Sequence, residues 1–374
     1  MTKKRTALSL FSGAGGMDIG VMQAGFEIMA CIEVDPYACE TLRTNITREN
    51  RTTRVIEDDI RNIDPFTLMA ELGLQPGELD LLYGGPPCQP FSQIGKRQSL
   101  DDDRGLLLFE MVRFAEVFRP RVVLTEQVRG LLSATDELNR RGGVFKLLIE
   151  RLEASGYVSK WQLINAQLIN AADYGVPQLR QRIFIVSMLG SNTFQFPLPT
   201  HSPLTKANSL FSLLPYVTVG EALQGLGKPC EKRDGYVPED SHIDITPEGD
   251  RHRIDGVPEG SYLAEQIHFP KERRGNLTKK DTTKFKRLSR YQPANTLRCG
   301  EIFFHPIENR YLTPREYMRL HGYPDEYVLC GPIRGRSGRV RWLDQHRQVA
   351  NSVPPPVAKA IADAIIRIID AQDI

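Results

Sequence analysis

The stretch RTALSLFSGAGGMDIG (residues 5–20) decides the fold, because an apolar run leads directly into closely spaced glycines. Residues 6–11 have the pattern of a buried strand, and residues 16–23 that of a helix. Gly13, Gly15 and Gly16 allow the backbone to turn tightly at the carboxyl end of the strand and to approach a ligand. Asp18 stands where a dinucleotide-binding fingerprint has its third glycine. The stretch therefore predicts a nucleoside-like ligand and disfavours a nicotinamide dinucleotide.

Strand-like and helix-like segments alternate from this turn through the first 190 residues. The predicted strands span residues 6–11, 29–34, 54–60, 79–83 and 121–125, and two more apolar, β-branched runs span 158–164 and 183–188. The predicted helices span residues 16–23, 105–118 and 144–154, with another starting near residue 37. This order predicts an α/β protein with a Rossmann-like, mostly parallel sheet and helices on both faces.

The composition and the periodicity of the sequence change near residue 197. Four prolines punctuate the segment from 197 to 215, and the chain to about residue 310 is polar, basic and poor in periodicity. At the end, apolar residues from Val357 to Ile368 recur at helical spacing and need a core to pack against. We therefore predict a first domain of residues 1–200 and 340–374, and a smaller irregular domain of residues 201–339 joined to it by a hinge.

Composition excludes several classes of protein. Of the 374 residues, 41% are hydrophobic and 25% are charged, as in globular proteins. No apolar stretch reaches the length of a membrane span, and Ser9 and Ser12 interrupt the run near the start, so neither a membrane anchor nor a secretory signal is expected. The six cysteines include no C-x-x-C pair, so we expect neither a disulfide framework nor a metal site, and a cytoplasmic location.

The net charge of +2 hides an uneven distribution. Residues 271–300 contain ten basic and two acidic residues, a net charge of +8, which leaves −6 on the rest of the chain. A second basic run extends from Arg334 to Arg347. One such run is usually a solvated surface, but two in the same third of the chain favour a polyanionic partner.

Acidic residues and a cysteine stand at the predicted strand ends, where ligands bind in such sheets. Glu33 is placed to hold a ribose diol and Asp59 to accept from an adenine amino group, although either acid would also suit a helix N-cap. Cys88 lies in GGPPCQPFS (residues 84–92), where two prolines fix the backbone just before the thiol. This setting indicates a nucleophile rather than a buried structural cysteine. The polar segment 93–104, with Gly95 as its hinge, has the character of a lid.

Glu126 and two arginines extend this set. Glu126 is predicted at the end of the fifth strand, where burial would raise its pKa and make it a proton donor. Arg180 and Arg182 are two residues apart before an apolar run, so alternation places them on one face of the entering strand. Two arginines on one face suit a phosphate, a carboxylate or a carbonyl edge.

Eight stretches of this sequence, taken in order, resemble the motifs of the DNA (cytosine-5) methyltransferase family, in its bacterial modification-type form. They are FSGAGGMDIG (11–20), IEVD (32–35), DDI (58–60), GGPPCQPFS (84–92), TEQV (125–128), PQLRQR (177–182), YLTPREYMRLHGYPDEY (311–327) and RQVANSVPPPVAKAI (347–361). The resemblance covers the chain from residue 7 to about 361. One residue departs from the pattern: Gln127 stands where the family usually has asparagine.

The resemblance implies a catalytic scheme. Cys88 would attack C6 of cytosine while Glu126 engages N3, Arg182 would hold O2, and Arg180 would fix the site or its backbone. C5 would then accept a methyl group from S-adenosylmethionine, and S-adenosylhomocysteine would be the product. The cofactor would contact residues of the glycine-rich turn, of the following strand ends and of the terminal motif: Phe11, Ser12, Gly13, Gly15, Gly16, Glu33, Asp59, Ile60, Pro87, Asn351 and Val353.

The resemblance also implies double-stranded DNA as the partner, with the target base flipped out of the helix. Ser92 and the loop from Gln93 to Arg104 would close over the flipped base, and Thr296 would lie beside it. The region from about residue 200 to 322 would form the target-recognition domain, in which Lys279, Lys280 and Lys284 would bind the DNA backbone. The enzyme is expected to act as a monomer near the nucleoid, with a restriction endonuclease as a candidate companion.

Three other functions are alternatives for this sequence. A transfer RNA methyltransferase of the same fold shares the PPCQPF stretch, but its Cys-Phe-Thr element is absent here, and the nearest cysteine is Cys299 in RCGEIF (298–303). A catalytically silent nucleic-acid-binding protein is disfavoured because Cys88, Glu126 and Arg182 are all present. A nicotinamide oxidoreductase is disfavoured by the glycine spacing.

Overall fold

A computed structural model describes most of the chain. The described residues are 4–87, 107–136, 140–159, 169–190, 194–203, 213–231, 238–268, 270, 285–300, 302–333 and 342–373. Cys88, Ser92, Gln93, Arg104, Lys279, Lys280 and Lys284 lie outside them.

An eight-stranded sheet forms the centre of the described structure. Its strands are β1 (Arg5–Leu10), β2 (Phe26–Glu33), β3 (Arg54–Glu57), β4 (Leu81–Gly84), β5 (Val122–Gln127), β6 (Tyr157–Ser159), β7 (Ile169–Asn170) and, after the short strand β8 (Gln178–Leu179) outside the sheet, β9 (Gln181–Leu189). Their order is β3-β2-β1-β4-β5-β9-β6, and β7 also pairs with β9. Strands β1 to β5 pair in parallel, whereas β9 is antiparallel to β5, β6 and β7.

Ten α-helices are present in the described residues. They are α1 (Gly16–Gln23), α2 (Pro36–Arg48), α3 (Pro65–Glu71), α4 (Leu107–Phe118), α5 (Gly143–Ala154), α6 (Val219–Leu223), α7 (Glu248–Ile254), α8 (Pro314–His321), α9 (Gln345–Asn351) and α10 (Pro355–Gln372). Three of them begin with a capping side chain followed by proline: Asp35 before α2, Asp64 before α3 and Thr313 before α8. This pairing satisfies the first free backbone N–H groups and pre-sets the helical φ angle, so the sequence itself defines these starts.

The two faces of the sheet carry separate hydrophobic cores. On β1, Ala7 packs with residues of α1, α2 and α10, while Leu8 and Leu10 pack with residues of α3, α4 and α5. Strand alternation produces this division, because successive side chains point to opposite faces. The predicted α/β class, with a Rossmann-like, mostly parallel sheet and helices on both faces, is confirmed.

Several predicted elements end elsewhere in the structure. The predicted third strand, 54–60, stops at Glu57 because Asp59 caps a short 3-10 helix that begins at Ile60. Strand β6 covers only the start of the predicted run 158–164, and residues 160–168 lie outside the described part of the chain. The antiparallel direction of β9 was not predicted, because a buried apolar run has the same pattern in either direction.

The last helix packs against the first one. A side chain at Gly20 of α1 would collide with Lys359 N at 2.5 Å and Ala358 Cβ at 2.6 Å, so the two helices approach to backbone contact. A guanidinium clamp supports the same arrangement, since Arg5 of β1 pairs with Asp370 at 2.5 Å and with Asp373 at 2.6 Å. The return of the terminal helix to the first part of the chain, predicted from its apolar pattern, is therefore observed.

Between residues 200 and 344 the described structure consists of short elements and loops. Three two-stranded pairs occur, namely β10 (His201–Ser202) with β11 (Leu214–Pro215), β12 (Cys230–Glu231) with β13 (Ile243–Asp244), and β14 (Ala294–Asn295) with β8. A third core joins Leu297, Tyr317 and Leu320 to Ala14 and Ile19 near the start of α1. The division into domains at residues 200 and 340 stays a prediction. In the described part of the chain, no helix is long and apolar enough to cross a membrane.

Candidate active site

A cavity of about 520 Å³ opens at the carboxyl edge of the sheet. Its walls come from the ends of β1, β2, β4 and β5, from the region after β3 and from the junction of α9 with α10. Many of the residues that were predicted to bind a cofactor or to act in catalysis line this cavity. They are Phe11, Ser12, Gly13, Glu33, Asp59, Ile60, Pro87, Glu126, Arg180, Arg182, Asn351 and Val353. This size and position are typical of ligand sites in parallel sheets.

The glycine-rich turn forms one wall of the cavity. Gly15 caps α1 with a φ of 76°, which only glycine adopts without strain, and Phe11 is held at a φ of 55°. Gly13 N donates to Glu33 Oε2 at 2.7 Å, so the end of β2 fixes the turn. Gly15 and Gly16 do not line the cavity: a side chain on Gly16 would meet the Val353 carbonyl at 2.5 Å. They shape the turn and seat the terminal segment against it.

Glu33 and Asp59 have different surroundings. Glu33 does not cap α2, a role that Asp35 takes; instead Glu33 Oε1 accepts from the N–H groups of Val34 and Asp35, both at 2.9 Å. Burial raises the pKa of Glu33, and these backbone N–H groups oppose the shift. Asp59 does cap a helix and also pairs with Arg61 at 2.6 Å, which lowers its pKa. Contacts of either acid with a ribose or an adenine stay predictions.

Glu126 and Arg182 form an ion pair inside the cavity. Arg182 Nε lies 3.0 Å from Glu126 Oε1, since β9 runs beside β5 and pairs Glu126 with Phe184 in register. Burial raises the pKa of Glu126, and the charges of Arg182 and Arg180 act in the opposite direction. Gly85 leaves room for the acid, because a side chain there would approach Glu126 Oε2 to 3.1 Å. The arrangement provides a protonatable carboxyl group and a fixed guanidinium side by side.

Gln127 anchors the loop that leads to Cys88. Its buried side-chain amide donates from Nε2 to the carbonyl oxygen of Pro86 at 2.5 Å. With glutamine in place of the usual asparagine, an amide hydrogen bond therefore still joins the end of β5 to the proline-rich loop. Cys88 itself lies outside the described residues.

Arg180 is buried and holds backbone from two distant segments. It precedes β9 by one residue, and its side chain lines the same cavity as that of Arg182, in agreement with the prediction that the two arginines share a face. Its Nη2 donates to the carbonyl oxygens of Ala350 and Ser352, both at 2.9 Å, and Nη1 donates to that of Leu297 at 3.4 Å. Burial beside Arg182 lowers the pKa of this guanidinium. The contacts indicate a positioning role for Arg180.

Thr296 belongs to a segment that pairs with the strand before Arg180. Strand β14 is parallel to β8, with Asn295 opposite Leu179, and Thr296 Oγ1 donates to the Leu179 carbonyl oxygen at 2.7 Å. Thr296 is half-buried and is not part of the cavity wall. Its predicted place beside a flipped base stays a prediction.

Part of the basic region has structural partners. Arg287 is buried and donates to several backbone carbonyls, including that of Ile254 at 2.9 Å. Arg290 pairs with Glu259 at 3.1 Å, and Arg347 pairs with Asp344 at 3.2 Å. The interpretation of the whole +8 segment as a surface for a polyanion was therefore too broad.

Sequence reasoning missed several residues of the wall. Ser9, Asp18 and Tyr83 line it from β1, α1 and β4, and Leu343 and Gln348 line it from the end of the chain. Gln348 lies within the quoted terminal motif, and Asp18 was noted only as a missing glycine, so both had a signal in the sequence. No group of three or more metal-ligating side chains occurs among the residues described.

Comparison with known proteins identifies relatives along almost the whole chain. The family model for the C-5 cytosine-specific DNA methylase matches residues 6–367. The Type II methyltransferase M.PspPI of Psychrobacter sp. (strain TA137) is 35% identical over 383 residues, which span 99% of this chain and 81% of that protein. M.AquIA of Picosynechococcus sp. is 40% identical over 229 residues, 60% of this chain and 89% of that protein. A solved structure of a putative DNA modification methyltransferase encoded within an E. coli prophage has the same fold, with a TM-score of 0.70 at 21% identity over 98% of this chain and 99% of that one.

Replacing Arg180 with methionine tests its positioning role. We expect Arg180→Met to lower the free energy of unfolding by about 3 kcal/mol, because it leaves the Leu297, Ala350 and Ser352 carbonyls without their donor in a buried site. Arg367, which is exposed on α10, provides the control, and Arg367→Met should stay within about 0.5 kcal/mol of the parent. Denaturant unfolding measures both variants. Equal stability of the two would show that Arg180 does not link these segments.

Proposed function

This chain belongs to the C-5 cytosine-specific DNA methylase family, and we propose that it transfers a methyl group from S-adenosylmethionine to C5 of a cytosine flipped out of double-stranded DNA, through a covalent bond between Cys88 and C6. The observation that carries the proposal is the single cavity that holds both Glu33 and the Glu126–Arg182 pair. Three strand spacings separate the ends of β2 and β5, or about 14 Å. That span accommodates a nucleoside at one end and a base at the other.

The residues at the β2 end fit S-adenosylmethionine. A side chain on Gly13 would meet no atom within 4 Å, so the turn leaves open space for a ligand. Glu33 Oε2 accepts from Gly13 N alone and so keeps a lone pair for the ribose diol, while Asp59 and Ile60 would contact the adenine. Asn351 and Val353 complete the wall from the other end of the chain. When bound, the cofactor supplies an electrophilic methyl group.

The residues at the β5 end fit cytosine. Glu126 donates a proton or a hydrogen bond to N3, which its raised pKa favours, and Arg182 donates to O2. Cys88 follows Pro87 on a loop whose Pro86 carbonyl is held by Gln127. In this proposal the Cys88 thiol acts at the end of the cavity where Glu126 lies.

The chemistry of the cytosine ring then follows in balanced steps. The Cys88 thiolate adds to C6, the electron pair of the C5–C6 bond moves into the ring, and Glu126 protonates N3. C5 becomes nucleophilic and would bond to the methyl group that the cofactor supplies, as the bond between that group and the sulfonium sulfur breaks and leaves its electron pair on sulfur. Transfer of the C5 proton to a water molecule and breakage of the C6–sulfur bond restore the double bond and release the thiolate, while N3 returns its proton to Glu126.

The flipped base requires contacts with DNA outside the cavity, because C5 is unreachable inside a duplex. Ser92 and the segment from Gln93 to Arg104 close over the base in this proposal, and Thr296 lies beside it. Lys279, Lys280 and Lys284, in a recognition domain of residues 201–339, contribute charge to backbone binding. We further infer a monomer that works in the bacterial cytoplasm alongside a restriction endonuclease.

Expression of the protein in a bacterial host that lacks cytosine methylation tests the proposed function. Sequencing of the host DNA with a readout for 5-methylcytosine should show the modified base within one recurring sequence. A host that expresses Cys88→Ala should show none. Methylation confined to RNA would instead favour the transfer RNA alternative, and unmodified nucleic acid from a host containing folded protein would contradict the proposal.

Replacing Glu126 tests its role at N3. Glu126→Gln should reduce turnover about 10²–10⁴-fold, because the amide cannot transfer a proton. Burial raises the pKa of Glu126, so the acid form persists to higher pH than in an ordinary glutamate and is lost as the pH rises through that value. Turnover of the parent should accordingly fall on the alkaline side, and this decline should be missing from the Gln variant.

Glu150, an exposed glutamate on α5, provides the matched control. Glu150→Gln should keep the turnover and the pH profile of the parent. If Glu126→Gln reduces turnover by less than about tenfold, another group activates N3.

A further inference from the structure

Asp18 is a buried carboxylate for which the proposed catalytic scheme has no role. It lies in the first turn of α1 with 5% of its surface exposed. Three neighbouring strands contribute donors to it: Ser9 Oγ at 2.6 Å from β1, Tyr83 OH at 2.7 Å from β4 and Cys31 Sγ at 3.4 Å from β2. Strand register places these donors side by side, because Ser9 is paired with both Cys31 and Tyr83.

The hydrogen bonds have the pattern of an ionised group. A carboxylate only accepts, and each of the three partners donates to it. Ser12 Oγ donates to Ser9 Oγ at 2.8 Å, which directs the single Ser9 proton to Asp18. Burial nevertheless raises the pKa of Asp18, and the three donors act against that shift.

In the part of the chain that the structure describes, Asp18 has no counter-ion in direct contact. Among the described residues, none of the ion pairs includes Asp18, and the charge of Arg51, which reaches it through space, is paired with Glu49 at 2.7 Å. Hydroxyl and thiol groups stabilise a carboxylate but add no positive charge. A buried carboxylate without a counter-ion favours a cation nearby.

The position of Asp18 identifies that cation by its chemistry. Asp18, Ser9 and Tyr83 line the cavity at β1 and β4, the two strands between the nucleoside end at β2 and the base end at β5. A methyl group that passes from one end to the other must lie over these strands. In the proposed reaction this group is attached to a sulfonium, which is positive before transfer and becomes a neutral thioether afterwards.

We propose that Asp18 is a specificity-determining residue that makes the cavity prefer the cationic sulfonium of S-adenosylmethionine to the neutral thioether of S-adenosylhomocysteine. The preference rests on the proposed function, because it assumes that cofactor. It limits inhibition by the product, since the interaction with Asp18 weakens once the positive charge is gone.

Binding measurements on the purified full chain test the proposal without any turnover. Titration calorimetry gives the affinities for S-adenosylmethionine, for S-adenosylhomocysteine and for sinefungin, an analogue with an ammonium group near the sulfonium position. In Asp18→Asn we expect the preference for the two cationic ligands over S-adenosylhomocysteine to fall on the order of tenfold, as for the loss of one nearby charge. Unchanged preference in a folded variant would overturn the proposal.

Tyr83→Phe and Ser9→Ala are the matched controls, because each removes one donor and keeps the carboxylate. They should weaken the binding of all three ligands by similar factors and leave the preference unchanged. If they shift the preference as much as Asp18→Asn does, the network acts through structure rather than charge, and the proposal fails.

The parent protein provides a second measurement in case Asp18→Asn does not fold. The preference for S-adenosylmethionine should be present above the raised pKa of Asp18 and decline as the pH falls through it, because protonation removes the charge. The charge of Arg51 also reaches Asp18. The titratable groups that face Asp18 stay neutral over this range, since burial raises the pKa of Cys31, Tyr83, Tyr323 and Tyr327. A preference that does not vary with pH would contradict the charge mechanism. If neither S-adenosylmethionine nor S-adenosylhomocysteine binds the parent protein, the proposed function fails instead.

Discussion

The contact between the two ends of the chain is the constraint on which the site depends. Helix α10 reaches backbone contact with α1 because Gly20 has no side chain, and Gly16 allows the Val353 carbonyl to lie against the glycine-rich turn. Arg180 secures the same segment through the carbonyls of Ala350 and Ser352. Without this closure the carboxyl edge of the sheet would be an open crevice, and Asn351 and Val353 would not face Glu33. The cavity is therefore a product of long-range packing rather than of one motif.

Three carboxylates line the cavity, Asp18 buried and Glu33 and Glu126 half-buried, and each is stabilised differently. Glu33 is held by backbone N–H groups, Asp18 by hydroxyl and thiol donors, and Glu126 by the guanidinium of Arg182. Burial raises the pKa of all three, but the compensating groups determine what each can do. Glu33 is suited to accept from a sugar, Asp18 to attract a positive charge and Glu126 to exchange a proton. The same residue type thus supports three functions along one sheet edge.

Local patterns in the sequence predicted much of this structure, and contacts between distant segments account for the rest. The turn at Gly13–Gly16 and the acid at Glu126 were predictable because strand ends and glycines have local signatures. The resemblance implied that Arg180 fixes the site or its backbone, but no local pattern identifies its partners, since the carbonyl groups of Ala350 and Ser352 are 170 or more positions away. Asp18 was noted only as a missing glycine, because its three donors come from separate strands. The expectation for the basic segment was too broad, because the sequence does not reveal that Arg287 is buried or that Arg290 pairs with Glu259.

The proposed reaction requires a covalent bond between Cys88 and C6 of the target cytosine, and a substrate that blocks its breakage would trap that bond. The substrate is a duplex oligonucleotide of the modified sequence with 5-fluorocytosine at the target position, incubated with the protein and S-adenosylmethionine. Because fluorine cannot leave as a proton does, elimination stops after methyl transfer. We predict a protein–DNA adduct that survives denaturing electrophoresis and maps to Cys88 by mass spectrometry. Methylation of the ordinary duplex without any adduct on the fluorinated one, or an adduct at another residue, would contradict the account.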